Sequence, residues 1–167
     1  AHETLTILNS GRYVTSAGQS LSIAPALRAA VDNTALYLSE QPIGAWRTAF
    51  GERMRVAVTN RSTLTAAYYL NTQYARVTAL NFASAKHPGG GFLAGAQAQE
   101  ESLARASGLY ACLKAPFEFY AQHRERETSL YSDRVVFSPH VPVFRDEQGA
   151  LLDEIWCCSF ITAAAVN

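Results

Sequence analysis

The chain has 167 residues, enough for one domain with a substantial core but not for two. Fourteen basic residues balance fourteen acidic ones, which argues against a general electrostatic attraction to nucleic acid. The apolar fraction is 49%, yet no segment stays apolar for the length of a membrane span. We therefore expect one domain, residues 1–167, without direct nucleic-acid or membrane binding.

The cysteines and the first residues bear on the compartment. Cys112, Cys157 and Cys158 form an odd set without a C-x-x-C spacing, which fits neither a disulfide framework nor a zinc site. The histidines show no ligand spacing with acidic residues, so we expect no metal site. No hydrophobic signal segment opens the chain. Reduced core thiols and a cytoplasmic location are the expectation.

The first third of the chain predicts two helices and a hairpin. Residues 3–9 read as a short helix that Gly11 stops, and residues 12–23 alternate weakly around Ala17-Gly18, which predicts a small hairpin. Pro25 then stands where a first helical turn tolerates it, followed at helical spacing by Leu27, Val31, Ala35 and Leu38. Residues 41–51 read as a loop.

Strand-like and helical runs then alternate. Residues 54–59 predict a short strand with Val56 and Val58. Asn60 or Ser62 can cap a helix that continues to Tyr74, with an apolar stripe of Leu64, Ala67, Tyr68 and Leu70. Residues 77–82 are strand-like again and lead into a loop with three glycines.

The second half continues the pattern. A helix over residues 99–113 would bury Leu103, Ala106, Tyr110 and Leu113, and a polar helix follows over residues 116–126. Residues 135–137 and 141–144 are β-rich, with a turn at 146–149. The apolar run at 156–165 predicts a strand buried on both faces. The alternation predicts an α/β layered fold, with its ligand loop at the carboxyl end of the 77–82 strand.

The loop after that strand carries the main functional signal. Gly89, Gly90 and Gly91 lack Cβ atoms, so a ligand can approach their amides, which can bind phosphate oxygens. A flexible turn is the alternative reading of the glycines alone. The run is neither G-x-G-x-x-G after a strand nor a P-loop.

Two adjacent carboxylates follow the glycines. Seven residues separate Gly91 from Gln99, Glu100 and Glu101, which stand at the predicted start of a helix. Adjacent helical residues point about 100° apart, so one carboxylate can address a reacting bond while the other holds a neighbouring group. The alternative is helix capping, since acidic residues complement the dipole of a first turn. A helix start lowers a carboxyl pKa whereas a general acid needs it raised, so burial would have to compensate.

Three further residues near the loop are weaker candidates. Asn81 could bond a sugar hydroxyl or cap the loop, and Phe92 could pack on a ribose or base or anchor the core. His87 reads most simply as a solvated loop residue, because a lone histidine is a weak signal.

The segment from Asn81 to Leu93, joined to Gln99-Glu100-Glu101, resembles the bacterial-type poly(ADP-ribose) glycohydrolases. Their signature is GGG, a short spacer and QEE, and the resemblance extends over the whole chain. It implies a macrodomain-like fold, a three-layer α/β/α arrangement with a mixed central sheet, that binds ADP-ribose. It also implies hydrolysis of poly(ADP-ribose) from chain ends without a metal or organic cofactor. ADP-ribosylated proteins would be partners, and DNA-damage handling would be a family-level role.

The resemblance further implies residue roles. Glu101 would be the general acid at the ribose–ribose bond, and Glu100 would hold the distal ribose hydroxyls. Asn81 would contact the distal ribose, and Gly89, Gly90 and Gly91 would lie against ribose and diphosphate, with Phe92 and Gln99 completing the substrate-binding set. The family's second glycine-rich loop has no counterpart before Asn167, so we expect the domain to lack its C-terminal part.

Three hypotheses therefore stand at this point. The first is an enzyme that hydrolyses poly(ADP-ribose). The second is an ADP-ribose-binding module, or an inactive fragment of the enzyme, without catalysis. The third takes the glycines and glutamates as a turn and a helix cap in a protein with another task.

Overall fold

The computed structural model describes residues 1–38, 55–125 and 131–165. The helices are α1 (His2–Ser10), α2 (Ala24–Asp32), α3 (Thr63–Asn71), α4 (Gln99–Ala106), α5 (Leu109–Lys114) and α6 (Phe117–Arg124). The strands are β1 (Arg12–Val14), β2 (Ser20–Ser22), β3 (Ala35–Tyr37), β4 (Thr78–Ala83), β5 (Val135–Arg145) and β6 (Leu151–Ala164). Within these ranges, no helix is long and apolar enough to cross a membrane.

The central sheet has four strands in the order β3-β5-β6-β4. β5 pairs antiparallel with β3 and β6, whereas β4 pairs parallel with β6 along its whole length, from Thr78↔Ser159 to Ala83↔Ala164. A separate two-stranded hairpin joins β1 and β2. The predicted α/β class with a mixed sheet is confirmed.

The main core lies between the sheet and the helices. Its fully buried members come from several elements, among them Leu103 of α4, Leu109 of α5, Phe119 and Tyr120 of α6, Val136 and Val141 of β5, and Cys158 of β6. A second cluster joins Ile7, Tyr13, Ile23 and Leu27 to Phe144. The three cysteines are free, with Cys112 and Cys158 buried, as predicted.

β4 alternates between the core and the opposite face of the sheet. Ala79, Asn81 and Ala83 are buried, whereas Leu80 and Phe82 are 44% and 59% exposed. The alternation fixes the site that follows, because it turns Asn81 inward and leaves the Phe82 ring open at the end of the strand.

The N-terminal predictions are confirmed up to residue 32. Gly11 ends α1 in the left-handed conformation, with φ of 67°, and a Cβ there would lie 2.7 Å from the Cβ of Ala24. The helix after Pro25 was predicted too long. It ends at Asp32, where Asn33 and Thr34 bond back to the carbonyls of Ala29 and Ala30.

Long-range pairing explains where that prediction failed. Ala35, placed in the helix by its spacing, begins β3 and pairs with Phe137 of β5. The next prediction, a loop over residues 41–51, lies outside the described residues, as does Met54 of the predicted 54–59 strand. Residues 55–59 form no strand, and Val56 and Val58 are 79% and 96% exposed.

α3 has the predicted cap but a shorter body. The Ser62 hydroxyl accepts a hydrogen bond from the Thr65 amide at 3.2 Å, and the helix ends at Asn71 rather than Tyr74. Leu64 and Ala67 are buried, whereas Tyr68 and Leu70 are largely exposed. Two members of the predicted stripe therefore face away from the core.

The predicted helix over residues 99–113 is two helices. Ser107 takes an extended conformation and bridges to Val143 of β5, and the Gly108 amide donates to the Pro142 carbonyl at 2.9 Å. A Cβ on Gly108 would lie 2.6 Å from the Leu27 side chain. Packing against β5 and α2 thus breaks the helix, and of its predicted inner residues only Tyr110 stays partly exposed.

The last elements differ from prediction mainly in extent. α6, predicted as polar, buries Phe119, Tyr120 and His123 completely. The β-rich runs at 135–137 and 141–144 belong to one strand, β5, with a register shift near His140, whose φ is 47°. β6 starts at Leu151, and Ile161 is 38% exposed, so the prediction of burial on both faces is wrong there.

Candidate active site

The candidate site lies where β4 ends and α4 begins. A loop of residues 84–98 connects the two elements, and it contains a short 3-10 turn at Phe92–Ala94. Gly89 and Gly90 have φ of 69° and 57°, conformations that other residues rarely adopt. The loop can therefore fold back until its backbone touches the first turn of α4.

Glu101 is held by that backbone. Its Oε1 accepts a hydrogen bond from the Gly91 amide at 2.7 Å, and its Oε2 accepts one from the Ala98 amide at 3.1 Å. The side chain is 7% exposed. Two backbone amide donors, one to each oxygen, fix the orientation of this carboxyl group.

Glu100 is held by different groups. Its Oε2 accepts from the Ser84 amide at 2.7 Å, and its Oε1 lies 3.4 Å from the Asn81 side-chain nitrogen. Burial raises the pKa of Glu100 to about 7, and the neighbouring Glu101 charge acts in the same direction, against the bonds from Ser84 and Asn81. Near neutral pH both the protonated and the ionised form of this carboxyl are populated.

Gly90 is where the loop backbone comes close to the carboxylates of both Glu100 and Glu101. A Cβ there would lie 2.3 Å from the Oε1 of Glu101 and 3.0 Å from the Oε2 of Glu100. On Gly91 it would lie 2.6 Å from the Cβ of Ala96. No side chain fits at Gly90 without displacing both carboxylates, so the middle glycine is needed for this geometry.

A cavity of about 340 Å³ opens in front of the two carboxylates. It is lined by Phe82, Ala83, Ser84, His87, Gly90, Gly91, Ala98, Glu100, Glu101 and Ala165. It thus joins hydrogen-bonding backbone, an exposed aromatic ring, an imidazole and two carboxylates, which suits a polar ligand that carries hydroxyls. In the described part of the chain, no cluster of His, Cys, Asp and Glu side chains is placed to hold a metal ion.

Asn81 lies behind this cavity. Its side chain is fully buried, and its nitrogen donates to the Thr162 hydroxyl at 3.2 Å as well as facing Glu100. It does not line the cavity. The inward-facing position on β4 puts Asn81 against Glu100, and its predicted contact with the ribose stays a prediction.

Gln99 lies against β4, and its predicted role in substrate binding stays a prediction. Its side-chain nitrogen donates to the Leu80 carbonyl at 2.7 Å, and its oxygen accepts from the Phe82 amide at 2.9 Å. The nitrogen lies 3.2 Å from the Thr63 hydroxyl too. The side-chain amide pairs with the β4 backbone as a neighbouring strand would, and it connects α4 to β4. Gln99 does not line the cavity in front of the two glutamates.

Phe92 and Gly89 form the rear of the loop. The Phe92 ring is completely buried, 5.1 Å from the Tyr110 ring between centroids, so the alternative of core anchoring is the observed one. A Cβ on Gly89 would lie 3.0 Å from the Tyr110 ring. Of the residues predicted to bind substrate, only Gly90 and Gly91 line the cavity beside the two glutamates.

Sequence reasoning assigned no role to Phe82 or Ser84 and took His87 as a solvated loop residue, yet all three line the cavity. Ser84 contributes its amide to Glu100, Phe82 its exposed ring and His87 its imidazole. The position of Phe82 could have been predicted, because strict alternation along β4 places its side chain on the face of the sheet opposite to that of Asn81. The positions of Ser84 and His87 at the cavity depend on how the loop folds, and no local sequence pattern predicts that fold.

Comparison with known proteins gives consistent relatives. Residues 1–146 match the family described as microbial-type PARG, catalytic domain. Among solved structures, the chain is similar to poly(ADP-ribose) glycohydrolase from Thermomonospora curvata bound to the inhibitor ADP-HPD, with 47% identity and a TM-score of 0.89 over 99% of this chain. No curated protein matches the chain significantly.

A second relative comes from another organism. Poly(ADP-ribose) glycohydrolase from Deinococcus radiodurans in complex with ADP-ribose is 42% identical, with a TM-score of 0.78 over 86% of this chain. The chain spans 61% of the Thermomonospora structure and 58% of the Deinococcus structure.

Proposed function

We propose that this chain, which belongs to the family of microbial-type poly(ADP-ribose) glycohydrolase catalytic domains, hydrolyses the ribose–ribose O-glycosidic bonds of poly(ADP-ribose). ADP-ribose would leave from the ends of the polymer. Residues 1–167 would belong to one macrodomain-like unit, and the hydrolysis would need no metal or organic cofactor.

One observation carries the proposal. Two buried carboxylates line a single cavity, and backbone amides of the preceding loop hold both of them, through Gly91 for Glu101 and through Ser84 for Glu100. Glycoside hydrolysis needs two carboxyl groups, because one must protonate the leaving oxygen and one must stabilise charge or activate water. That the solved relatives carry ADP-ribose or the inhibitor ADP-HPD supports the same substrate class here.

The proposed roles follow from the two environments. Glu101, at the Gly90-Gly91 side of the cavity, would protonate the oxygen that leaves with the penultimate ribose. The terminal ribose then passes through an oxocarbenium-like state, and a water captures its anomeric carbon with carboxylate help. Glu100 would hold the ribose hydroxyls, and the raised pKa of this carboxyl, about 7, makes it a ready proton partner for Glu101.

The substrate contacts would be shared between loop and strand end. The amides of Gly90 and Gly91 would face ribose and diphosphate, and the exposed Phe82 ring offers a flat surface at the cavity wall. We propose that Asn81, Gly89, Phe92 and Gln99 serve substrate binding indirectly, by holding the carboxylates and the loop in place.

The assignment of the acid can be tested with two substrates. Glu101→Gln should lose turnover on poly(ADP-ribose) but keep most of it on an ADP-ribose glycoside with an activated phenol leaving group. Such a leaving group departs without protonation, so the general acid becomes dispensable. Glu100→Gln should be impaired on both substrates. If Glu100→Gln alone is rescued, the roles are reversed.

The alternative is a module that binds ADP-ribose without catalysis. Calorimetry with ADP-ribose, beside an assay of ADP-ribose release from the polymer, separates the two. Binding with product supports the enzyme, and binding without product supports the module. If the chain neither binds ADP-ribose nor releases it from the polymer, the glycine loop and the start of α4 have a structural role only.

The cellular setting belongs to the same proposal. ADP-ribosylated proteins would carry the substrate, the cytoplasm would be the compartment, and removal of the polymer after DNA damage would be the role. Deletion of the gene should leave polymer on proteins after damage, and fractionation with an antibody should place the protein with cytoplasmic markers.

A further inference from the structure

A second cavity, of about 320 Å³, lies between α3 and the turn that joins β5 to β6. Leu64 and Tyr68 line it from the helix, and Leu152 and Trp156 line it from β6. It shares no lining residue with the cavity in front of the two glutamates. Its volume is near the lower end of the about 300–1,000 Å³ typical of ligand pockets, so it suits one long side chain or a small ligand.

Two aromatic rings form one corner of this second cavity. The centroids of the Tyr68 and Trp156 rings are 5.5 Å apart, and the ring planes meet at 62°. Tyr68 is 53% exposed, so part of its ring stays open to a ligand. The face of an aromatic ring attracts a cation, and a flat guanidinium also stacks on it. The next residue of α3, Tyr69, already holds such a group, with the Arg61 guanidinium carbon 4.2 Å from its ring centre.

Two carboxylates add negative charge to the second cavity. Asp146 and Glu147 line it from the turn between β5 and β6. The Thr65 hydroxyl of α3 donates a hydrogen bond to Glu147 Oε2, and the Ala150 amide donates one to Asp146 Oδ1 at 2.8 Å. These bonds hold both carboxylates in position, so a ligand that uses them would not have to order them first.

A basic side chain also lines the second cavity, and it does not cancel this charge. Arg145 is 8% exposed, and its Nη2 lies 2.6 Å from Glu3 Oε2 in a salt bridge. Its Nη1 donates to the Gly149 carbonyl at 2.8 Å. Because Glu3 balances the charge of Arg145, Asp146 and Glu147 give the cavity a net negative charge.

We propose that the second cavity binds an arginine side chain presented by a partner protein. The aliphatic part of that side chain would lie on Leu64 and Leu152, and the guanidinium would stack in the corner of Tyr68 and Trp156. Its N–H groups would donate to the Glu147 carboxylate. Arginine fits better than lysine, because an ammonium is a point charge that neither stacks nor forms two parallel bonds. The site goes beyond the proposed hydrolysis and does not depend on it.

The test uses three capped tripeptides, with glycine on either side of arginine, citrulline or norleucine. Citrulline keeps the shape of arginine without its charge, and norleucine keeps only an apolar stem. Binding to the full chain is followed by NMR through the Trp156 indole N–H signal, which is assigned by its loss in Trp156→Phe. We expect millimolar affinity for the arginine peptide and about tenfold weaker binding of the other two. Equal affinities for the three peptides would overturn the proposal.

Two variants and a matched control locate the contact. Glu147→Gln should weaken binding of the arginine peptide about threefold, and glutamine can still accept the Thr65 hydrogen bond. Tyr68→Leu, which keeps an apolar surface, should also weaken it about threefold. Glu154→Gln is the control, because Glu154 is an exposed carboxylate of β6 that does not line the cavity. An equal loss in Glu154→Gln would indicate a general attraction to acidic surface and would refute the site.

Salt and activity provide separate readouts. Raising the ionic strength should weaken binding of the arginine peptide and leave that of the norleucine peptide unchanged. ADP-ribose release should be unaffected in Glu147→Gln, because Glu147 lies outside the proposed active site. If the unmodified chain releases no ADP-ribose, the proposed function fails, whereas the peptide titrations still decide whether the second cavity binds arginine.

Discussion

The Oε1 atom of Glu101 lies 2.7 Å from the Gly91 amide nitrogen, so the loop backbone itself positions this carboxylate. Because the Ala98 amide holds the other oxygen at 3.1 Å, the side chain has no freedom to turn away. The chain places a carboxylate at the cavity by backbone geometry, and the glycines are part of that geometry.

Replacing Glu101 with Gln should stop hydrolysis while sparing binding. Loss of a general acid costs about 10²–10⁴ in rate, and ADP-ribose affinity should stay within a few fold of the unchanged protein. Rates of ADP-ribose release and calorimetric affinities check both statements. Glu118→Gln is the matched control, since Glu118 also lies in a first helical turn but away from the cavity. Unreduced turnover in Glu101→Gln would contradict the assigned role.

Gly90→Ala should disable the site by steric conflict. The new methyl would meet Glu101 Oε1 at 2.3 Å, in a residue with φ of 57°. Gly95→Ala isolates the backbone penalty, because Gly95 has φ of 85° and open space around its Cβ position. We expect Gly90→Ala to lose at least tenfold more activity and to unfold with about 1–3 kcal/mol less free energy than Gly95→Ala. Equal effects of the two changes would show that the Glu101 side chain moves away from the new methyl group at little cost, and they would contradict the prediction.

Stability should depend on pH through Glu100. Its pKa rises from 4.5 to about 7 on folding, so the folded chain holds a proton that the unfolded chain has released. This contribution is fully present below the unfolded pKa and is lost as pH rises through about 7, by up to about 3 kcal/mol. Denaturant unfolding between about pH 5 and 8 measures it. The free energy of unfolding of Glu100→Gln should fall less over this interval, and parallel curves would contradict the pKa.

Gln99→Ala should loosen the junction of strand and helix. The change removes bonds to the Leu80 carbonyl and the Phe82 amide, at 2.7 and 2.9 Å. Because both groups lie on an edge strand that water reaches, we expect a loss of about 1–2 kcal/mol in the free energy of unfolding. Activity should fall with it, since α4 carries both glutamates. Gln97→Ala, two residues earlier and exposed, is the control, and an equal loss there would remove Gln99 from its proposed position.

Local sequence patterns predicted the order of the elements that build the site. The order of strand, glycine loop and acidic helix start was readable, because Gly89 to Gly91 and Glu100-Glu101 are neighbours in the chain. The start of α3 was equally readable, since Ser62 caps the helix through the residue three positions on.

Features set by distant parts of the chain were not readable. Ala35 joins a strand rather than a helix because Phe137 pairs with it, and Ser107 leaves the helix because Val143 bridges to it. Asn81 was predicted to meet a sugar hydroxyl because its amide both donates and accepts hydrogen bonds, and Gln99 was assigned to substrate binding by the resemblance alone. Their bonds to Glu100 and to the β4 backbone arise only once α4 has packed against β4.

The break at Ser107 leaves Glu100 and Glu101 on a helix of eight residues, tied to the strand edge at its first residue and followed at once by the bridge to β5. Any backbone shift carries the two acids together, as a rigid pair. Engineering a different spacing between them therefore has to come from side-chain length, for instance aspartate for glutamate, and not from remodelling the surrounding chain.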